Sequence, residues 1–204
     1  MTDVKPTVFV VDDDLSVRNS LALLIESAGW QPETFGSAQE FLARPRASGP
    51  SCMLLDVFLP DLNGSDLQQQ LADRTEMPII VMSGHADVPV TARAMKAGAM
   101  DFFAKPLASD ELLIAIRVAI DRSRAALSSA HRMRALLENY ASLSPRQREV
   151  MALIVGGRLN KQAGGELGIS EITVKAHRGK VMRKMHADSL PDLVRMADRL
   201  YAHR

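Results

Sequence analysis

Over the first 120 residues, short apolar runs alternate with longer amphipathic stretches, and from about residue 107 onward the pattern is entirely helical. Residues 8–11, 32–35, 52–56, 79–82 and 101–104 have the length and the bounding turn signals of strands. Between them lie helical patterns at 16–28, closed by Gly29; 37–44; 64–74; and 88–97, closed by Gly98. A fifth helix opens near Ser109. Strands alternating with helices predict an α/β fold, a doubly wound five-stranded parallel sheet covered on both faces.

Between Leu107 and Ser144 there is neither Pro nor Gly, so the fifth helix is expected to run well past the sheet. About 30 helical residues would span roughly 45 Å. Ile116, Ile120, Leu127, Ala130 and Leu137 recur at helical spacing, but Ser123 and Arg134 interrupt any continuous heptad seam, which predicts a linker helix with weak self-association. Ser144, Pro145 and Gln147 then read as N-cap, first-turn proline and capping-box residue of a helix ending near Gly156 and Gly157. Asn160 is expected to cap a helix up to Leu167, Ser170 one through Met185 and Ser189 one through Leu200, with Gly168 in a tight turn. Such an order predicts a smaller all-α four-helix unit containing a helix-turn-helix. The expected division is a sheet domain at 1–122, a linker helix at 123–137 and the helical domain at 138–204.

The overall net charge of +1 conceals a strong asymmetry. Residues 1–124 hold 11 Lys and Arg against 17 Asp and Glu, a balance of −6, whereas residues 125–204 hold 14 against 7, a balance of +7. Only the second half is therefore expected to meet a polyanion. The lone cysteine, Cys52, lies within an apolar run, so a disulfide framework is excluded and a buried small hydrophobe in a reducing cytosol is expected. With no apolar stretch approaching the ~20 residues of a membrane span and no signal-peptide pattern at the start, an intracellular protein without membrane contact is predicted.

Asp12 and Asp13, Asp56, Ser83 and Lys105 each stand at or just past the end of a predicted strand. Parallel strands end on one edge of the sheet, so these residues should converge there. Carboxylates, a hydroxyl and an ammonium suit a Mg²⁺ ion and a phosphoryl group, because hard cations take oxygen ligands and neutralise charge building on phosphoryl oxygens. Asp56, after the central strand, is the expected nucleophile; Lys105 and Ser83 would hold phosphoryl oxygens. Asp14 reads more simply as a helix cap.

The segments VVDDD, LLDVFLPDLNG, VMSGH and FFAKP resemble the receiver domain of bacterial two-component response regulators, over residues 7 to about 120. The stretch SGHADVPVTARAMKAGAMDFFAKP is most similar to the FixJ-like group. This resemblance implies a flavodoxin-like receiver in which Asp56 takes a phosphoryl group from a sensor histidine kinase. It also implies Mg²⁺ or Mn²⁺ held by Asp12, Asp13, Asp56 and the backbone carbonyl of Phe58. Phe102 would follow Ser83 inward as a switch, and the face of the fourth helix, fifth strand and fifth helix would support a homodimer on phosphorylation. Phe58 is expected to hinder a hydrolytic water, prolonging the phosphorylated state, and His85 offers itself as a residue that orients that water.

In SEITVKAHRGKVMRKM, Val174, Val181 and Met185 point inward by spacing, whereas Lys175, Arg178, Lys180 and Arg183 occupy the other side. Together with the preceding capped helix and Gly-containing turn, the stretch from LSPRQREV onward resembles the LuxR-type DNA-binding domain over about residues 138–202. By matching position, Lys175, Ala176 and Gly179 would face base edges, and Asn160, Lys161, Thr173, His177 and Arg178 would approach the phosphate backbone. Ala163, Gly164 and Gly165 depart from the usual pattern; at about 1 kcal/mol each against alanine, the two glycines predict a helix that is marginal without DNA or a partner domain.

Two resemblances in tandem imply a phosphorylation-controlled transcription factor in the bacterial cytoplasm, binding promoter DNA and working with RNA polymerase. Asp12, Asp14 and Ser16 also approximate the first motif of haloacid-dehalogenase-type phosphatases, but such an enzyme needs a further acidic pair on a later strand, and Asp110 and Glu111 open a helix instead. The expectation is no enzyme beyond self-catalysed phosphoryl acceptance and slow loss.

Overall fold

A computed structural model of the chain describes residues 5–62, 64–71, 73–84 and 88–202. Five parallel strands, β1 (Thr7–Val11), β2 (Gln31–Phe35), β3 (Ser51–Asp56), β4 (Ile79–Ser83) and β5 (Asp101–Ala104), form one sheet in the order β2-β1-β3-β4-β5. Alternation along the strands feeds two separate cores. Phe9, Val11, Met53, Leu55 and Val81 pack with α2 (Ala38–Leu42), α3 (Gly64–Gln70) and α4 (Val88–Lys96). Val8, Val10, Cys52, Leu54, Ile80 and Met82 pack on the opposite face with α1 (Leu15–Ser27) and α5 (Ser109–Ala141). Burial of Cys52 pushes its thiol up to about 12, consistent with a small core hydrophobe.

Helix starts follow local chemistry. Asp14 caps α1, its carboxylate accepting from the amide of Ser16 at 2.7 Å and from the Ser16 hydroxyl at 2.6 Å. These hydrogen bonds hold its pKa below the usual carboxylate range. Asp61 reaches across from the loop after β3 and accepts from the amides of Ala38 and Gln39, joining Ser37 in capping α2. The third helix is shorter than the expected 64–74. After Gln70 the chain tightens into turns, Arg74 donating to Leu71 and Met77 to Arg74, which brings Leu71 and Met77 into the core.

α5 runs unbroken for 33 residues, and the chain divides into two compact units within it, Met1–Ser128 and Ser129–Arg204. Its pattern differs from the expected seam. Ser123 is fully buried: its hydroxyl accepts from the Ser51 amide at 2.9 Å and donates to the Glu76 carbonyl at 2.5 Å. Leu136 is buried, while Leu137, expected on the seam, is 41 % exposed.

In the second unit, α6 (Pro145–Val155) begins with the predicted capping box of Ser144 and Gln147. α7 (Asn160–Leu167), α8 (Glu171–Met185) and α9 (Leu190–Ala202) follow. Val174, Val181 and Met185 of α8 are buried as predicted, joining Val150, Ile154 and Ala163 on one side and Leu193, Ala197 and Leu200 on the other. Gly168 ends α7 at φ +66°, a left-handed conformation that glycine adopts without penalty. Asn160 is not the cap of α7. Leu159 holds that position, its amide donating to Gln162 at 2.9 Å, and Asn160 is the first helical residue.

The expected weakness at Gly164 also has a different meaning. A Cβ there would lie 2.7 Å from the Ile169 carbonyl, so glycine is what allows the turn before α8 to close on α7. Gly165 faces open space. Among the described residues, no helix is long and apolar enough to cross a membrane.

Candidate functional sites

The ends of β3 and β4 and the loops after β1 and β5 bring the acidic residues, Ser83 and Lys105 to one edge of the sheet. Lys105 donates from Nζ to Asp12 Oδ2 at 2.6 Å and to Asp56 Oδ2 at 2.5 Å. Carboxylate oxygens of Asp12, Asp13 and Asp56 all lie within 4.8 Å of one another. Asp12 and Asp56 are buried, Asp13 is exposed, and an open cleft of about 660 Å³ lined by Asp13, Asp56, Phe58, Gly84 and Lys105 gives access. Ser83 closes β4, fully buried, with its carbonyl accepting from the Lys105 amide at 2.8 Å.

Burial sets the electrostatics. Removal from water raises the pKa of Asp12, outweighing the hydrogen bond from Lys105 and the one from the Asp14 amide. Lys105 also suffers from burial, but its hydrogen bonds to Asp12 and Asp56, with their charges, prevail and raise its pKa. Three carboxylates facing one ammonium leave a strongly anionic cluster of hard oxygen donors. That set fits a divalent cation with oxygen preference.

Phe58 is half exposed at the rim, and its amide donates to Asp56 Oδ1 at 2.9 Å, holding one carboxylate oxygen. Phe102 and Phe103 are both half-buried on β5 and face opposite cores, Phe102 the side of α2 to α4 and Phe103 that of α1 and α5. His85 lies outside the described residues. Arg18 was not legible as a participant: from α1 its Nη1 donates to the carbonyls of Asp12 (2.6 Å) and Asp13 (2.9 Å), holding the acidic loop through its backbone.

On α8, Lys175 and Ala176 are exposed, and Thr173, His177, Arg178 and Gly179 are half-buried. Lys161 is exposed in the first turn of α7. Three of these residues already have partners. The Thr173 hydroxyl lies 2.8 Å from the capping Ser170 hydroxyl, Arg178 donates to Asn160 Oδ1 at 3.4 Å, and Lys175 pairs with Glu171 at 2.9 Å. His177 has its Nδ1 buried without a hydrogen-bond partner. The Arg178–Asn160 contact ties the start of α7 to the middle of α8, a pairing across 18 residues that helical spacing does not show.

Residues 8–117 match the response regulator receiver domain, and residues 141–197 match the bacterial regulatory proteins of the luxR family. The chain belongs to the FixJ-like response regulators. It is 45 % identical over 201 residues to the response regulator protein TodT of Pseudomonas putida, covering 98 % of this chain and 88 % of TodT. To the transcriptional regulatory protein FixJ of Bradyrhizobium diazoefficiens it is 40 % identical, covering 96 % of each. The solved structure of the response regulator StyR superposes with a TM-score of 0.87 at 41 % identity, covering 96 % of this chain and all of StyR. A receiver domain implies a kinase partner, and a luxR-family domain implies DNA binding; both follow from the family of this regulator.

Proposed function

We propose that Asp56 is the phosphoacceptor and that its modification promotes dimerisation and promoter binding through α8. The observation that carries this reading is the Lys105 bridge: one ammonium held between Asp12 and Asp56 at the mouth of an open cleft. The Asp56 oxygen attacks phosphorus of a kinase phosphohistidine; the P–N bond breaks as the O–P bond forms, and the departing imidazole takes up a proton. Lys105 leaves the carboxylate for a phosphoryl oxygen, and the Ser83 hydroxyl donates to another. Asp12, Asp13 and Asp56, with the Phe58 carbonyl, hold Mg²⁺ or Mn²⁺, which neutralises phosphoryl charge when bound.

Phe102 acts as the switch that follows Ser83, shifting the population toward a state that pairs through α4, β5 and α5. In the DNA-bound dimer, Lys175, Ala176 and Gly179 face base edges, while Asn160, Lys161, Thr173, His177 and Arg178 serve the phosphate backbone. The protein acts in the bacterial cytoplasm with RNA polymerase and turns over no substrate beyond its own phosphorylation. Sustained hydrolysis of an aryl phosphate would contradict that last statement.

The deciding experiment measures dimerisation and DNA binding with and without a phosphodonor and Mg²⁺, in the wild type and in Asp56→Asn. Phosphodonor-dependent gains in the wild type alone are expected. Identical responses of the two proteins would reject the switch.

A further inference from the structure

Ile172 is the most exposed large apolar side chain among the described residues of the helical unit, with 79 % of its surface open to solvent. Folding does not account for it. The same helix sends Val174, Val181 and Met185 into the core, and a β-branched residue on an exposed helix surface is less favourable than alanine. Three, four and seven residues on from Ile172 stand Lys175, Ala176 and Gly179, so the four residues form one stripe along the helix.

That stripe is apolar in the first turn, cationic in the second and nearly bare backbone in the third. At Gly179 a Cβ would meet nothing nearer than Arg183 Nη1, at 3.8 Å. The first turn of a helix docked in the major groove is the part that reaches base edges, and the apolar feature exposed there is the C5 methyl of thymine. The surrounding half of the chain, with a balance of +7 over residues 125–204, is suited to a polyanion and not to an apolar protein surface.

We propose that Ile172 is a specificity-determining residue that packs on the methyl group of one thymine in each DNA half-site. The proposal rests on the reading of α8 as the DNA-recognition helix. Lys175 supplies polar readout one turn further on, and Ile172 supplies an apolar contact that selects T over C at a neighbouring base pair.

The test begins by enriching duplexes from a random-sequence pool with the full-length chain, Mg²⁺ and acetyl phosphate. Affinity for the enriched duplex is then measured at fixed salt while each thymine in turn is replaced by deoxyuridine, which lacks only the methyl. At one thymine per half-site, deoxyuridine should weaken wild-type binding about fourfold, the effect of returning one methyl-sized group to water. Ile172→Ala should weaken binding to the thymine duplex by at least as much and abolish the difference between thymine and deoxyuridine, whereas Ile172→Val should retain it. Equal deoxyuridine penalties in wild type and Ile172→Ala at every position would overturn the proposal, as would unchanged affinity of Ile172→Ala. Failure to enrich any duplex would instead bring down the DNA reading of α8, and this inference with it.

Discussion

At the carboxyl edge of the sheet, the Lys105 ammonium sits between Asp12 and Asp56, at 2.6 and 2.5 Å, whereas on α8 Lys175 pairs with the exposed Glu171 and Lys180 and Arg183 are exposed. The contrast shows two ways of preparing charge for a polyanionic group. In the receiver the cation is half-buried and neutralised by carboxylates, one of which the proposed phosphorylation must take from it, so the site is poised to rearrange. On the helix the cations are exposed, where an ion pair contributes little, and readiness comes from the apolar packing behind them. One region is therefore expected to respond to charge changes and the other to changes of shape.

The largest expected effect tests the receiver side. Lys105→Met leaves two buried carboxylates without their partner and should cost about 3 kcal/mol of receiver stability in urea without divalent cations. Mg²⁺ should restore more stability to this variant than to the wild type, and equal restoration would mean that lysine and cation do not compete. On the helical side, Gly164→Ala introduces a Cβ 2.7 Å from the Ile169 carbonyl. It should destabilise the DNA-binding unit by about 2 kcal/mol through overpacking, with loss of DNA affinity although no charge has changed.

Gly165→Ala, one residue away in open space, should do the opposite and stabilise the unit by about 1 kcal/mol. Thermal unfolding of the pair compares shape effects at constant chemistry, and destabilisation by both would show that α7 tolerates no side chain there. The smallest effect is a pH dependence. Burial raises the folded-state pKa of Asp12, so the folded chain binds its proton more tightly than the unfolded chain, and stability falls as pH rises from the ordinary carboxylate value of 3.8 through the raised one. Relative to the wild type, Asp12→Asn should therefore gain stability in metal-free buffer as pH rises through that window, while losing the cation site. A pH-independent difference between the two proteins would show that burial does not govern Asp12.

Much of this was legible because parallel strands buried on both faces read as continuous apolar runs, and because the residues following them must share an edge. That is why Asp12, Asp13, Asp56, Ser83 and Lys105 emerged together from spacing. Backbone-mediated contacts were not legible. Arg18 donates to carbonyls, which every residue carries, and Ser123, a defect by heptad spacing, joins the start of β3 to the Glu76 carbonyl through its hydroxyl. Asn160 looked like a cap because its type favours caps, but the preceding Leu159 occupies that position and the amide side chain serves Arg178. Helix propensity is a local quantity and misses the reason for Gly164, a carbonyl five residues away.

The close approach at Gly164 bears on how regulators of this kind diverge. Because the spacing of α7 and the turn before α8 is set where backbone meets backbone, with Arg178 adding its contact to Asn160, the exposed side chains of Ile172, Lys175 and Ala176 are relieved of any part in holding the motif together. Ile172, Lys175 and Ala176 can be exchanged for others while the frame that presents them stays put. On the proposed reading of α8, new operator preferences are then reachable by single substitutions that leave the input half of the protein untouched.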